Sequence, residues 1–241
     1  IRGFSNFSEG MPPEELAGFL SEYLTPMTDL VLASGGTLDK YIGDAVMAIW
    51  GAPVDMTDHA TRACEVALEM QETLIALNKV WAKAGKPAVA IGIGINTGAM
   101  AVGNMGSAAR FDYTVLGDQV NLGARLEALT KEYGISILVG ESTAQAAGDR
   151  FVFREIDLVR VKGRAGAVPV FELVGRTGTV VDATFTGALA SYRRREFRPA
   201  QEAFASLHGD PVAVILAARC AELAAAPPAD DWDGVYEQRS K

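Results

Sequence analysis

Asn121 and Arg125 stand four residues apart in Gly117-Asp118-Gln119-Val120-Asn121-Leu122-Gly123-Ala124-Arg125-Leu126-Glu127. On a helix they share one face, with the apolar Val120, Leu122, Ala124 and Leu126 on the others. An amide and a guanidinium projecting together suit a negative charge developing on a phosphate or ribose oxygen. The structural alternative is a surface Arg125 paired with Glu127 or Asp118. A second grouping is Lys40-Tyr41-Ile42-Gly43-Asp44. A carboxylate on a tight Gly-containing turn between two apolar strands can offer its oxygens to a hard cation such as magnesium, or can be an ordinary turn aspartate. Arg160, Lys162 and Arg164 form a third, in Arg160-Val161-Lys162-Gly163-Arg164. They could clamp a triphosphate or simply form a solvated basic turn. A fourth is Ile1-Arg2-Gly3-Phe4-Ser5-Asn6-Phe7-Ser8-Glu9, which reads as a strand end followed by small residues whose backbone N–H groups could cradle phosphates. No GxxxxGK[ST] is present, so P-loop chemistry is unsupported.

The elements that must position these residues are legible from periodicity. Apolar residues at helical spacing predict a helix over 12–34, with Glu14 and Glu15 in the first turn and Gly35-Gly36 at the stop. Residues 36–44 and 45–51 read as the arms of a hairpin meeting at Gly43-Asp44. A second long helix spans 58–84, begun by Asp58 and closed by Gly85 and Pro87. Strands are expected over 88–97, 100–105, 135–139, 151–161 and 168–174, and helices over 119–130 and 141–147. This alternation suits an α+β sandwich with helices on one face of a largely antiparallel sheet. Past Gly175 the composition turns Ala-rich, and two amphipathic helices over 187–207 and 211–226 resemble a single tetratricopeptide hairpin. The expected division is therefore 1–175 as the main domain and 176–241 as a helical appendage and tail.

Taken together, IRGFSNFSE, GGTLDKYIGDAVMAIWG, GIGINTG, YTVLGDQVNLGARLE and VKGRAGAVPVFEL resemble, in order and spacing, the catalytic domain of class III adenylate and guanylate cyclases, over roughly Ile1 to Gly175. The resemblance implies a ferredoxin-like βααββαβ fold, akin to the polymerase palm. It also implies a head-to-tail homodimer with active sites at the interface, and conversion of ATP to 3′,5′-cyclic AMP. By the same likeness Asp44 and the backbone carbonyl of Ile1 would ligate metal, in a site holding two Mg²⁺ or Mn²⁺ ions. Lys40 and Thr114 would read the purine, in the Lys/Thr pairing associated with adenine; guanylate cyclases usually carry Glu and Cys there. Asn121 would orient the ribose, Arg125 would stabilise the pentavalent phosphorus, and Lys162, Gly3 and Phe4 would hold phosphates. The family's first metal aspartate falls immediately before Ile1, so the expectation is a longer protein that carries it. A guanylate cyclase, and a non-catalytic dimerisation or sensory module, are the alternatives. The GG[DE]EF signature of diguanylate cyclases is missing.

Composition agrees with such a domain. The 241 residues are 49% hydrophobic, with mean hydropathy +0.14, enough for a sizeable core. With 22 Lys+Arg against 30 Asp+Glu the charge is -8, which argues against nucleic acid as a partner. Cys64 and Cys220 lie far apart without CxxC spacing, indicating neither a disulfide framework nor a zinc cluster and fitting a cytoplasmic setting. No apolar run of membrane-spanning length occurs. The closing segment from Ala225 to Tyr236, with Trp232, is similar to the C-terminus of bacterial cyclases carrying an extracytoplasmic CHASE2 sensor. That likeness implies an upstream sensor and a membrane-anchored protein, whereas a Trp that merely docks the tail needs neither.

Overall fold

The computed structural model describes residues 1–107, 109–160 and 167–235. A turn at Arg2-Gly3 leads into a short helix, α1 (Phe4–Ser8), so the expected strand end is not seen at Ile1; Arg2 N–H instead donates to the Ala90 carbonyl at 2.8 Å. There follow α2 (Pro13–Ala33), the hairpin β1 (Thr37–Ile42) and β2 (Ala45–Ile49), and α3 (His59–Lys83). Next come β3 (Ile93–Ile95), the hairpin β4 (Ala101–Gly106) and β5 (Phe111–Leu116), and α4 (Asp118–Tyr133). The remainder is β6 (Ile137–Gly140), α5 (Glu141–Ala147), the hairpin β7 (Phe151–Arg160) and β8 (Ala167–Arg176), then α6 (Ala183–Arg193), α7 (Phe197–Ser206) and α8 (Pro211–Ala225).

The central sheet has the order β3-β6-β8-β7, with β3 parallel to β6 and the other neighbours antiparallel; β1-β2 and β4-β5 are separate two-stranded ribbons. Helices cover this sheet on both faces rather than one. The reason is visible at β6, a continuous apolar strand whose alternate side chains enter different cores. Ile137 and Val139 pack with Cys64 and Ala67 of α3, whereas Leu138 packs with Leu126 of α4, Ile156 and Val170. A third core gathers Phe19, Tyr23 and Met27 of α2 with Leu74 and Trp81 of α3, and Ile1 and Val46 pack against it.

Among its described residues the appended region holds three helices, not two, because the chain breaks between Arg193 and Phe197, where Arg195 adopts φ 65°. Its apolar side chains, among them Phe185, Tyr192, Phe204 and Leu216, join the same core as Leu122, Leu126, Leu129 and Tyr133 of α4. Trp232 closes that core against Tyr192 and Phe197, with ring centroids 5.4 and 5.7 Å away, and its indole N–H donates to the Val235 carbonyl at 2.7 Å. It therefore anchors the tail. Arg154 of β7 adds an ionic clamp, pairing with Glu172 and with Asp210, the residue that caps α8.

Candidate active site

Helix α4 begins at once after β5, through Gly117, and presents Asn121 and Arg125 on its exposed face. Its opposite face is fixed by burial of Leu122, Leu126, Leu129 and Tyr133. Two further contacts set its position. Asn96 donates to the backbone carbonyl and the side-chain oxygen of Gln119, both at 2.9 Å. Gly94 of β3 lies so near α4 that a Cβ there would fall 2.3 Å from Glu127 N and 2.4 Å from Gly123 O. Only glycine allows that approach.

Asp44 sits at the tip of the first hairpin, where Ile42 pairs with Ala45 and Gly43 turns the chain with φ 63°. Ile1 lies beside Asp44, so the two residues expected to ligate metal are neighbours. Tyr23 lies beneath them; burial pushes its hydroxyl pKa up, and the nearby Asp44 charge adds to the effect. A carboxylate beside a backbone segment is a hard oxygen donor set that fits one side of a divalent ion. Among the described residues no group of three or more His, Cys, Asp or Glu side chains gathers as a metal site.

Lys40 and Thr114 come from different hairpins, β1 and β5, and meet through Asp39, a residue the sequence reading did not single out. Thr114 Oγ1 donates to Asp39 Oδ2 at 2.7 Å, and Lys40 Nζ lies 3.4 Å from Asp39 Oδ1. The Asp39 side chain is fully buried, while that of Lys40 is 42% exposed. Adjacent residues on a regular strand face opposite ways. Here the register shifts between Leu38, paired with Ala48, and Lys40, paired with Met47, so Asp39 occupies a β-bulge and shares a side with Lys40. Alternation in the sequence carries no sign of that bulge. Gly3, in a left-handed conformation, and Phe4 open α1. Lys162 and Arg164 lie outside the described residues.

The arrangement thus offers a carboxylate at one hairpin tip, a cation and a hydroxyl joined through a buried carboxylate, and an amide and guanidinium on one helix face. The family model describing the adenylate and guanylate cyclase catalytic domain matches residues 1–175. Adenylate cyclase 1 of Rhizobium meliloti is 39% identical over 175 residues, covering 73% of this chain and 26% of that protein. An adenylate cyclase of Anabaena cylindrica is 40% identical over 180 residues, covering 72% of this chain and 35% of its own length. The chain therefore spans about a quarter to a third of these relatives. Among solved structures, the guanylyl cyclase Cya2 superposes with TM-score 0.67 at 37% identity, covering 74% of this chain and 89% of that one. The adenylyl cyclase CyaB from P. aeruginosa gives TM-score 0.67 at 33% identity, covering 75% and 92%.

Proposed function

Because the chain belongs to the family of adenylate and guanylate cyclase catalytic domains, we propose that it forms 3′,5′-cyclic AMP and pyrophosphate from ATP, at sites shared between two copies. The observation that carries the choice of ATP is the meeting of Lys40 and Thr114 at Asp39, which sets a cation beside a hydroxyl as a polar edge for the base. Asn121 orients the ribose, and Arg125 places its guanidinium against the charge that builds on the α-phosphate as the 3′-oxygen attacks and pyrophosphate departs. Lys162 and the backbone of Gly3 and Phe4 hold the phosphates. Asp44 and the Ile1 carbonyl, with an aspartate ahead of Ile1, hold two divalent ions, magnesium or manganese. When bound, these supply Lewis-acid activation of the 3′-hydroxyl and charge neutralisation on the leaving group.

Pairing of two copies is supported by apolar side chains left exposed on the two hairpins that carry the site. They are Tyr41 (46%) and Ile42 (59%) on β1, and Phe111 (62%) and Leu116 (54%) on β5. No helix among the described residues is long and apolar enough to cross a membrane. A sensor and a membrane anchor, in keeping with the tail's likeness to CHASE2-linked cyclases, belong to the rest of the full-length protein.

One observation favours a guanylate cyclase: Cya2, at the same TM-score of 0.67, is 37% identical to this chain against 33% for CyaB. The full-length protein given magnesium or manganese, with ATP and GTP offered separately and in competition, decides between them. Cyclic AMP as the main product is expected. Failure to form it from ATP would overturn the proposal.

A further inference from the structure

The Asp39 side chain is a buried carboxylate off the regular ladder, a combination that needs a reason. Its Oδ2 accepts the proton of Thr114 Oγ1 at 2.7 Å, and its Oδ1 has no hydrogen-bond partner and faces Lys40 Nζ at 3.4 Å. A carboxylate only accepts, whereas a threonine hydroxyl has one proton and two lone pairs. Once that proton is given to Asp39, the hydroxyl has only lone pairs left for a ligand. The ammonium of Lys40 can only donate. The pair therefore presents one donor and one acceptor in fixed roles. Adenine matches these roles with Lys40 set against its N1 acceptor and Thr114 against its 6-amino donor. A 6-oxo purine reverses both, with N1–H and a carbonyl.

We propose that Asp39 is the positioning residue that fixes this polarity, so that the site selects a 6-amino over a 6-oxo purine. This rests on the ATP-cyclase reading above and adds to it the origin of its selectivity. Without Asp39 the Thr114 hydroxyl rotates freely and can donate to a 6-carbonyl, because hydroxyl hydrogens turn to suit their partner. The bulge is what turns Asp39 to the same side as Lys40.

The test compares kcat/KM for ATP, inosine triphosphate and purine riboside triphosphate in the full-length protein. Inosine triphosphate differs from ATP only at the N1 and 6-position edge; purine riboside triphosphate carries hydrogen at position 6. In Asp39→Asn the amide can donate to Thr114, and the preference for ATP over inosine triphosphate is expected to fall about tenfold, the worth of one hydrogen bond. On a Thr114→Val background, adding Asp39→Asn should change the preference no further. An equal loss for both nucleotides in Asp39→Asn, with their ratio unchanged, would reduce Asp39 to a structural role. Should Asp39→Asn not fold, the unaltered protein decides: the expected order is ATP, then purine riboside triphosphate, then inosine triphosphate. Use of inosine triphosphate ahead of purine riboside triphosphate would show Thr114 donating and would overturn the proposal. If the unaltered protein instead prefers 6-oxo nucleotides to ATP, the ATP reading itself fails, a result distinct from an unchanged ratio in the variant.

Discussion

Arg125 and Asn121 project from a helix whose other face is locked in a core, so each can be altered without disturbing the fold. Arg125→Ala is expected to lower kcat for ATP by about 10²–10³-fold, with the thermal midpoint unchanged, the mark of a lost transition-state donor. Steady-state kinetics alongside a melting curve check this, and a large fall in the midpoint would contradict it. The two cysteines make the opposite case. Burial pushes the Cys64 thiol up to about 12 and that of Cys220 up to about 11, so neither is a thiolate at neutral pH. A disulfide probe at pH 8 should therefore label them only after denaturant is added, and prompt labelling of the native protein would count against this burial. The pairing of Asn121 with Arg125 was legible because helical period alone places both on one face. Asp39 was not, since a bulge depends on how one strand sits against another and leaves no mark in alternation.

The elements show the same division between local pattern and tertiary demand. The long helices and the Gly43-Asp44 hairpin formed where periodicity and turn chemistry placed them, within a residue or two. The strand expected over 88–97 shrank to Ile93–Ile95, because the stretch before it meets the N-terminal segment instead, through Arg2 and Ala90. The expected helix over 187–207 divided because the chain reverses at Arg195. Pro199 is tolerated in the first turn of the new helix, where an N–H would have no partner within it. The spacing of α4 from the sheet depends on a missing side chain. Gly94→Ala would press a methyl into the α4 backbone and is expected to cost about 1–3 kcal/mol in urea unfolding. Activity should fall further than that loss of folded protein explains, because Asn121 and Arg125 move with the helix. Wild-type stability in this variant would mean that the approach of β3 to α4 is looser than described.

At the scale of the whole molecule, two assemblies need separate tests. If each site draws its metal ligands from one copy and its base and transition-state groups from the other, Asp44→Asn and Arg125→Ala variants should each be inactive alone. Mixed under exchange conditions they should recover about a quarter of wild-type activity, since half the dimers would be mixed and each would hold one intact site of two. No recovery, with mixed dimers shown to form, would argue for sites complete within one chain. The second assembly is internal. A chain ending at Arg176 would strip α6 to α8 from the core they share with Leu126, Leu138 and Ile156, and should lower the denaturation midpoint and bind a hydrophobic dye. An unchanged midpoint would make the appendage dispensable. That amphipathic helices follow the main domain was readable, though not that they are three; that they complete its core was not, because an apolar stripe says that it is covered without saying by what. The shared core also puts an order into synthesis. At about 5–20 residues per second, the ribosome finishes α4 several seconds before it delivers α8. During that interval the core behind the helix bearing Arg125 lacks α6 to α8, so the face proposed for catalysis is made well before the core that supports it is complete.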